Sequence, residues 1–221
     1  MRRSEGARAY KGFTLIELMV AIAAMALLAL MSWRGIEGMA RSQSQTRERG
    51  DAVLTLQTSL SQWNADLDAM ASLPLTRPID WNGRTMRITR SVSDGIQAVV
   101  QVVAWTQRSD AAGTPRWYRW QSPALRTRGE WQQAWERADT WAQNGGDPGA
   151  GAEVALVPLQ TWQIFYFRND LWSPAVSADA LGAATPVPDG VRLVLDLPAG
   201  PALAGLVTRD WVRPNATVTK S

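Results

Sequence analysis

Apolar residues run almost without interruption from Phe13 to Met31. These 19 residues would reach about 28 Å as an α-helix, close to the roughly 30 Å of a bilayer core. Further on, the pattern becomes one-sided. Val53, Leu56, Leu60, Trp63, Leu67 and Met70 recur at intervals of 3, 4, 3, 4 and 3. That period predicts an amphipathic helix with one buried stripe. A coiled-coil seam has the same spacing, but a run under about three heptads is short for one. The stripe therefore reads as a face that docks on a sheet. Arg47, Glu48, Asp51 and Asp66 lie off it and are expected in solvent. One long helix is predicted over residues 13–70, with 13–31 spanning a membrane and 32–70 continuing onto the domain. Pro74 and Pro78 end it.

The stretch between the two patterns is different. Gly35, Gly38 and Gly50 each disfavour helix by about 1 kcal/mol relative to Ala. Ser32, Ser42, Gln43, Ser44 and Gln45 add polarity. This part is expected to lie just outside the bilayer and to bend or locally melt. Ser32-Trp33-Arg34 suits an interfacial anchor, with Trp33 at headgroup level.

Beyond Pro78 the period falls toward two. Strands are predicted at Arg84–Ser91, Ile96–Thr106, Arg116–Gln121, Trp162–Arg168, Val191–Leu197 and Leu206–Arg213. Their short connections favour antiparallel pairing. Gln107–Pro115, Asn144–Gly151 and Ser173–Gly190 read as loops. Gly129–Ala142 reads as a short helix carrying Trp131, Trp135 and Trp141. The tail Pro214–Ser221 is expected to fray. The fold class is therefore α+β: a long N-terminal helix packed on an antiparallel sheet domain, with residues 71–221 long enough for one packed unit.

Composition narrows the chemistry. The formal charge is +3, with 23 Lys and Arg against 20 Asp and Glu. Four of those cations and one acid lie in residues 1–12, so the remainder carries 19 of each. The basicity belongs to the N-terminal dozen, and net charge offers no case for a nucleic-acid partner. Without His or Cys there is no Ser-His-Asp triad, thiolate nucleophile, disulfide or imidazole metal site. No nucleotide-binding loop, nucleophile elbow or EF-hand series occurs. Asp139, Asp147 and Glu153 flank a Gly-rich stretch, but their spacing matches no calcium loop. They are expected to be solvated, so no metal or cofactor is assigned. Twelve Trp suit core and interface packing. A Trp surface binding sugar or single-stranded DNA is the competing reading, with Arg116, Arg119, Arg126 and Arg128 near Trp117 and Trp120 as its local basic patch.

One carboxylate interrupts the first apolar run. At the middle of a bilayer it would cost about 2.5–3.5 kcal/mol, and less near one end, where Glu17 lies. An intramembrane carboxylate calls for a partner. A cut between Gly12 and Phe13 would supply one: a new α-amine on Phe13, in the same apolar layer as Glu17 of a neighbouring molecule.

Lys11-Gly12-Phe13-Thr14-Leu15-Ile16-Glu17 resembles the processing motif of type IV pilins and type II secretion pseudopilins. The resemblance implies that a prepilin peptidase removes residues 1–12 after Gly12 and methylates Phe13. It also implies that Glu17 is the assembly carboxylate and that the helix becomes filament core. Later segments resemble the J-type minor pseudopilins: Asp66-Leu67 closing the helix, Arg77-Pro78, the aromatic Trp162–Phe167 followed by Trp172, Pro188-Asp189-Gly190 before Val191–Leu197, and Gly205-Leu206-Val207-Thr208-Arg209 leading into Trp211. The gap from Asp66 to Arg77 is longer than that type implies. The resemblance implies a structural, non-enzymatic protein of the inner membrane, single-pass, with a periplasmic C-terminal domain. Its implied partners are the I, K and H minor pseudopilins, the major pseudopilin, the peptidase and secreted cargo, in a tip complex that primes pseudopilus assembly. A minor pilin of a type IV pilus or competence filament shares the same leader. A simple signal anchor that tolerates Glu17 is another reading. A signal peptide cut after Ala26 is a further one, and the apolar run continuing through Leu27, Leu28, Leu30 and Met31 weighs against it.

Overall fold

The computed structural model describes residues 13–93, 95, 98–145, 151–177, 186–200 and 203–214. The leader, Gly12, Asp147 and most of the tail lie outside the described residues. The chain divides into two units, one ending at Arg47 and one beginning at Glu48. The expected α+β architecture is present. Helix α1 spans Leu15–Asp68 and passes through Gly35, Gly38 and Gly50 without a break. No heavy atom outside the local helix lies within 4 Å of where a Cβ would stand on any of the three.

In the first unit the apolar side chains from Phe13 to Met31 face outward, and so do Trp33, Ile36 and Met39. Glu37 and Arg41 form an exposed i,i+4 pair at 2.6 Å, a contact worth only about 0.3–0.5 kcal/mol.

The second unit holds two antiparallel sheets rather than one. The first has the order β1-β2-β3-β4-β5, comprising β1 (Ile79–Trp81), β2 (Thr85–Ser93), β3 (Ala98–Ser109), β4 (Pro115–Gln121) and β5 (Ala152–Pro158). The second has the order β7-β6-β8-β9, comprising β6 (Thr161–Arg168), β7 (Leu171–Pro174), β8 (Gly190–Leu197) and β9 (Gly205–Val212). Helix α2 (Arg128–Asn144) connects β4 to β5. It opens on a capping box, with Thr127 as N-cap and Glu130 three residues on, each side chain meeting the other's backbone N–H.

Two layers of core result, one on each face of the first sheet. Alternation along its strands divides the side chains between them. Met86, Ile88, Val103, Trp105 and Trp117 join Trp63 and Leu67 of α1 and the second sheet's Ile164, Tyr166, Val191, Leu193 and Leu195. Val102, Ala104, Tyr118 and Trp120 point the other way, onto Trp131, Ala134, Trp135, Ala138 and Trp141 of α2. Nine of the twelve Trp are buried. Trp63 packs edge to face on Trp105, ring centroids 5.4 Å apart, and tilted against Trp117 at 5.7 Å.

Several sequence-based boundaries change. α1 stops at Asp68, two residues short of Met70, because strand β2 captures the backbone. Ser91 N–H donates to Ala69 O, and Ala71 N–H donates to Thr89 O. β3 extends through Gln107 to Ser109, since Gln107 and Arg108 pair with Trp117 and Arg116. β1, β5 and β7 were not anticipated: two are very short, and β5 is mostly exposed.

The largest correction concerns Asp66. Expected in solvent, it is fully buried and accepts five hydrogen bonds. Arg90 Nη1 donates to Oδ1 at 2.6 Å and Gln62 Nε2 to the same oxygen at 2.9 Å. Arg119 donates bidentately, through Nε at 2.8 Å and Nη2 at 2.9 Å, and Trp105 Nε1 donates at 3.0 Å. Asp68 and Asn64 extend the contact to β9. Trp211 Nε1 donates to Asp68 at 2.7 Å. Arg209 donates to the Asn64 amide oxygen when that amide is turned toward it. The last turns of α1 are thus tied by polar bonds to both sheets.

Removing one member of a buried ion pair leaves an uncompensated charge. Asp66→Ala is therefore expected to destabilise the protein by about 3–5 kcal/mol, lowering Tm by roughly 6–20 °C. Thermal unfolding followed by Trp fluorescence measures this; a shift below about 3 °C would contradict a structural role for the carboxylate.

Candidate functional site at the N-terminal segment

Phe13, Thr14 and Glu17 form the start of α1. Thr14 is the residue before the first helical position, and Glu17 is the third position of the helix. The Thr14 N–H donates to Glu17 Oε2 at 2.9 Å, and the Thr14 hydroxyl donates to the same oxygen at 2.8 Å. The Glu17 N–H points back to Thr14 Oγ at 3.4 Å. This is a capping box, the same Thr-x-x-Glu device that opens α2. It places a carboxylate at the positive end of a helix, where such charges are favoured. Phe13 is 87% exposed beside it.

The sequence pattern asked Glu17 for a partner on another molecule. The structure supplies one within the chain itself: Thr14, which the processing motif contains but to which no role was assigned. The Thr-x-x-Glu spacing before an apolar run was its signal. Both bonds from Thr14 fall on Oε2. Behind this site, α1 is long and apolar enough to cross a membrane by length and composition.

The other sequence-derived positions lie far along α1. Trp63 and Leu67 are buried at 0% and 1% exposure. Leu56, Leu60 and Met70 are half-buried against the same cluster, and Val53 is half-buried. Between Trp63 and Leu67, Asp66 performs the polar docking described above.

The suggested basic patch is broken up: Arg116 and Arg119 are engaged, and Arg126 and Arg128 are exposed. Trp117 and Trp120 are buried. Arg119 is held by Asp66, and Arg116 pairs with Asp110 at 2.8 Å. The Arg116 guanidinium and the amides of Thr114 and Ala112 keep the Asp110 carboxyl below its ordinary range. Glu153, expected as a solvated loop acid, lies in β5. It pairs with Arg108 at 2.7 Å and accepts from Trp141 Nε1. Asp139 accepts from Asn82 at 2.6 Å. Among the described residues, no group of three or more acidic side chains could hold a metal ion.

Residues 7–33 match the family model of the prokaryotic N-terminal methylation motif. No curated protein matches the chain. Among solved structures, similarity extends to a chain of the crystal structure of the GspK-GspI-GspJ complex from the enterotoxigenic Escherichia coli type 2 secretion system. The identity is 14% and the TM-score 0.48, over 74% of this chain and 98% of that one. The chain thus carries the N-terminal methylation motif at the head of α1.

A cap of this kind contributes about 0.5–2 kcal/mol to its helix. Thr14→Ala is expected to speed amide exchange at Glu17 and Leu18 by roughly 2- to 30-fold in detergent micelles. Unchanged exchange there would show that the cap is not formed in the isolated chain.

Proposed function

We propose that this chain is a minor pseudopilin of the type II secretion system, of the J type. In this reading prepilin peptidase cuts after Gly12 and the new terminus is N-methyl-Phe13. The mature helix sits in the inner membrane, and the domain lies in the periplasm. It enters the pseudopilus tip complex with the I, K and H minor pseudopilins, next to the major pseudopilin, and primes the filament that exports secreted cargo. The role is structural rather than enzymatic.

The observation that carries this reading is the methylation motif over residues 7–33 placed at the head of a helix apolar enough to cross a membrane. Glu17 is the assembly carboxylate. Its Oε2 is engaged by Thr14, which leaves Oε1 to receive the Phe13 amine of a neighbour. Such a pair at about 4 Å is worth about 4 kcal/mol at an effective dielectric near 20. Val53, Leu56, Leu60, Trp63, Leu67 and Met70 hold the rest of the helix to the domain. A minor pilin of a type IV pilus or competence filament shares the leader and is the second reading; gene neighbours separate the two. Burial of nine of the twelve Trp disfavours an anchored Trp-surface binding protein.

Gly12→Ala is expected to block processing, seen by mass spectrometry as a chain retaining residues 1–12 in a peptidase-positive host. A mature N-methyl-Phe13 terminus in that variant would overturn the cleavage assignment. Glu17 is tested by two substitutions. Glu17→Gln keeps a cap acceptor but removes the charge, whereas Glu17→Ala removes both. Processing is expected to continue in each, and both are expected to lose incorporation into the filament. Normal incorporation of Glu17→Gln would show that the carboxylate acts as a cap and not as an ion-pair partner.

A further inference from the structure

Two antiparallel sheets have four edges, and an edge strand presents unpaired N–H and C=O groups that recruit other strands. Three of the four edges here carry recognised protections. β1 is three residues long and buried. β5 has a register irregularity opposite Arg116 and Tyr118 and ends at Pro158. β7 is four residues long and ends at Pro174. β9 has none of these, though Arg209 and Asp210 place two charges on it. It runs eight residues, Gly205–Val212, without Pro or Lys, and pairs with β8 in unbroken register from Gly190↔Val212 to Leu197↔Gly205. Among the described residues no strand covers its outer side.

The direction of its free groups follows from one bond. Arg213 N–H donates to Asp189 O, so position 213 faces β8. Alternation along an antiparallel ladder then turns 211, 209, 207 and 205 toward β8. Leu206, Thr208, Asp210 and Val212 present their N–H and C=O groups outward. Their side chains share the face away from the core, and Leu206 and Val212 are 74% and 62% exposed. Asp210 is held bidentately by Arg192 at 2.7 Å, which keeps its carboxyl below the ordinary range.

The two pairings with a second copy that overlap most of the strand are poor fits for the edge. A two-fold antiparallel pairing that keeps both faces aligned sets one residue against itself. Centred on Arg209, it opposes two arginines, and like charges directly opposite are destabilising. Centred on Thr208, it opposes Leu206 to Asp210 and Val207 to Arg209. Among the described residues the partner of Arg209 is the neutral Asn64 amide, so its charge favours an incoming carboxylate.

We propose that β9 is a docking edge that takes an extended segment of a different protein as a fifth strand of the second sheet. The segment carries apolar side chains opposite Leu206 and Val212 and a carboxylate opposite Arg209. Backbone bonds supply affinity and the alternate side chains supply selectivity. This goes beyond the filament reading and requires only the folded unit from Glu48 onward.

The test uses the full chain in its own host, with p-benzoylphenylalanine replacing Leu206 or, separately, Thr208. Irradiation is expected to attach a second protein. Moving the probe from 206 to 208 is expected to move the attachment point by two residues along that protein, the signature of strand pairing. Thr208→Pro, combined with the probe at 206, removes an outward N–H without breaking a β8–β9 bond. It is expected to reduce the adduct about tenfold, the effect of leaving a carbonyl unpaired, at unchanged protein level. Arg209→Glu is expected to reduce it several-fold and serves if the proline variant does not accumulate. An adduct between two copies of this chain would overturn the proposal. So would no adduct at either position, an attachment point that does not move, or an adduct indifferent to both substitutions. Leader processing is read from the same gel by mass, so failure of the filament reading shows separately.

Discussion

The buried carboxylate of Asp66 is the constraint on which the domain depends. A helix docked on a sheet through a stripe of Leu, Trp and Met can slide or roll, because apolar contact is non-directional. Five hydrogen bonds to one carboxylate cannot follow such a motion. Arg90, Trp105 and Arg119 come from three adjacent strands and Gln62 from the turn of helix above. They fix the helix in rotation and translation on the first sheet, and Trp211 with Asp68 does the same toward the second. Charged hydrogen bonds of this kind contribute about 1.5–3 kcal/mol each, against a desolvation penalty of several kcal/mol per ion. The net gain is therefore more in definition of geometry than in stability.

A second buried pair repeats the arrangement on the opposite face of the first sheet. Arg87 donates to Asp80 at 2.7 Å, and both are nearly inaccessible. The Arg87 guanidinium lies 4.8 Å from the centre of the Trp135 ring, so the same pair that joins β1 to β2 also meets α2. Each layer of core thus contains a buried carboxylate bound by guanidinium across elements, Asp66 by Arg90 and Arg119 and Asp80 by Arg87. Tyr166, at the floor of the larger layer, is buried enough that its phenol is pushed far above its ordinary range, and it stays neutral while donating to Met86 Sδ.

These pairs mark the limit of what the sequence makes legible. Among the described residues, periodicity located α1, α2 and six of the nine strands, since each has several residues at the right spacing. It missed β1 and β7, which are too short to show a period, and β5, whose exposed side chains carry little apolar contrast. It misplaced Asp66 because a pattern of apolar residues scores every charge as solvent-facing. The signal was available on the partner strand: Arg119 stands between Tyr118 and Trp120 on the same face as Trp117, where an apolar residue belongs. At the N-terminus, Gly12, Phe13 and Glu17 stood out through their motif, while Thr14 did not. Its role lies in a backbone bond, and such bonds become visible only when the helix start is known to within one residue.

Thr14 also changes how Glu17 is understood. A lone carboxylate in an apolar helix poses an insertion problem of about 2.5–3.5 kcal/mol at the bilayer centre. Two hydrogen bonds from Thr14, with the positive end of α1 behind them, offset part of that cost before any neighbour arrives. In the proposed reading, the capped form would suit a subunit not yet paired with a neighbour. Both bonds converge on one oxygen, so the geometry that shelters the charge also leaves the second oxygen available. Pairing with an amine then adds to the cap rather than competing with it. In the proposed filament, a Thr-x-x-Glu box at the head of α1 would thus serve two stages with one carboxylate; α2 opens on the same box.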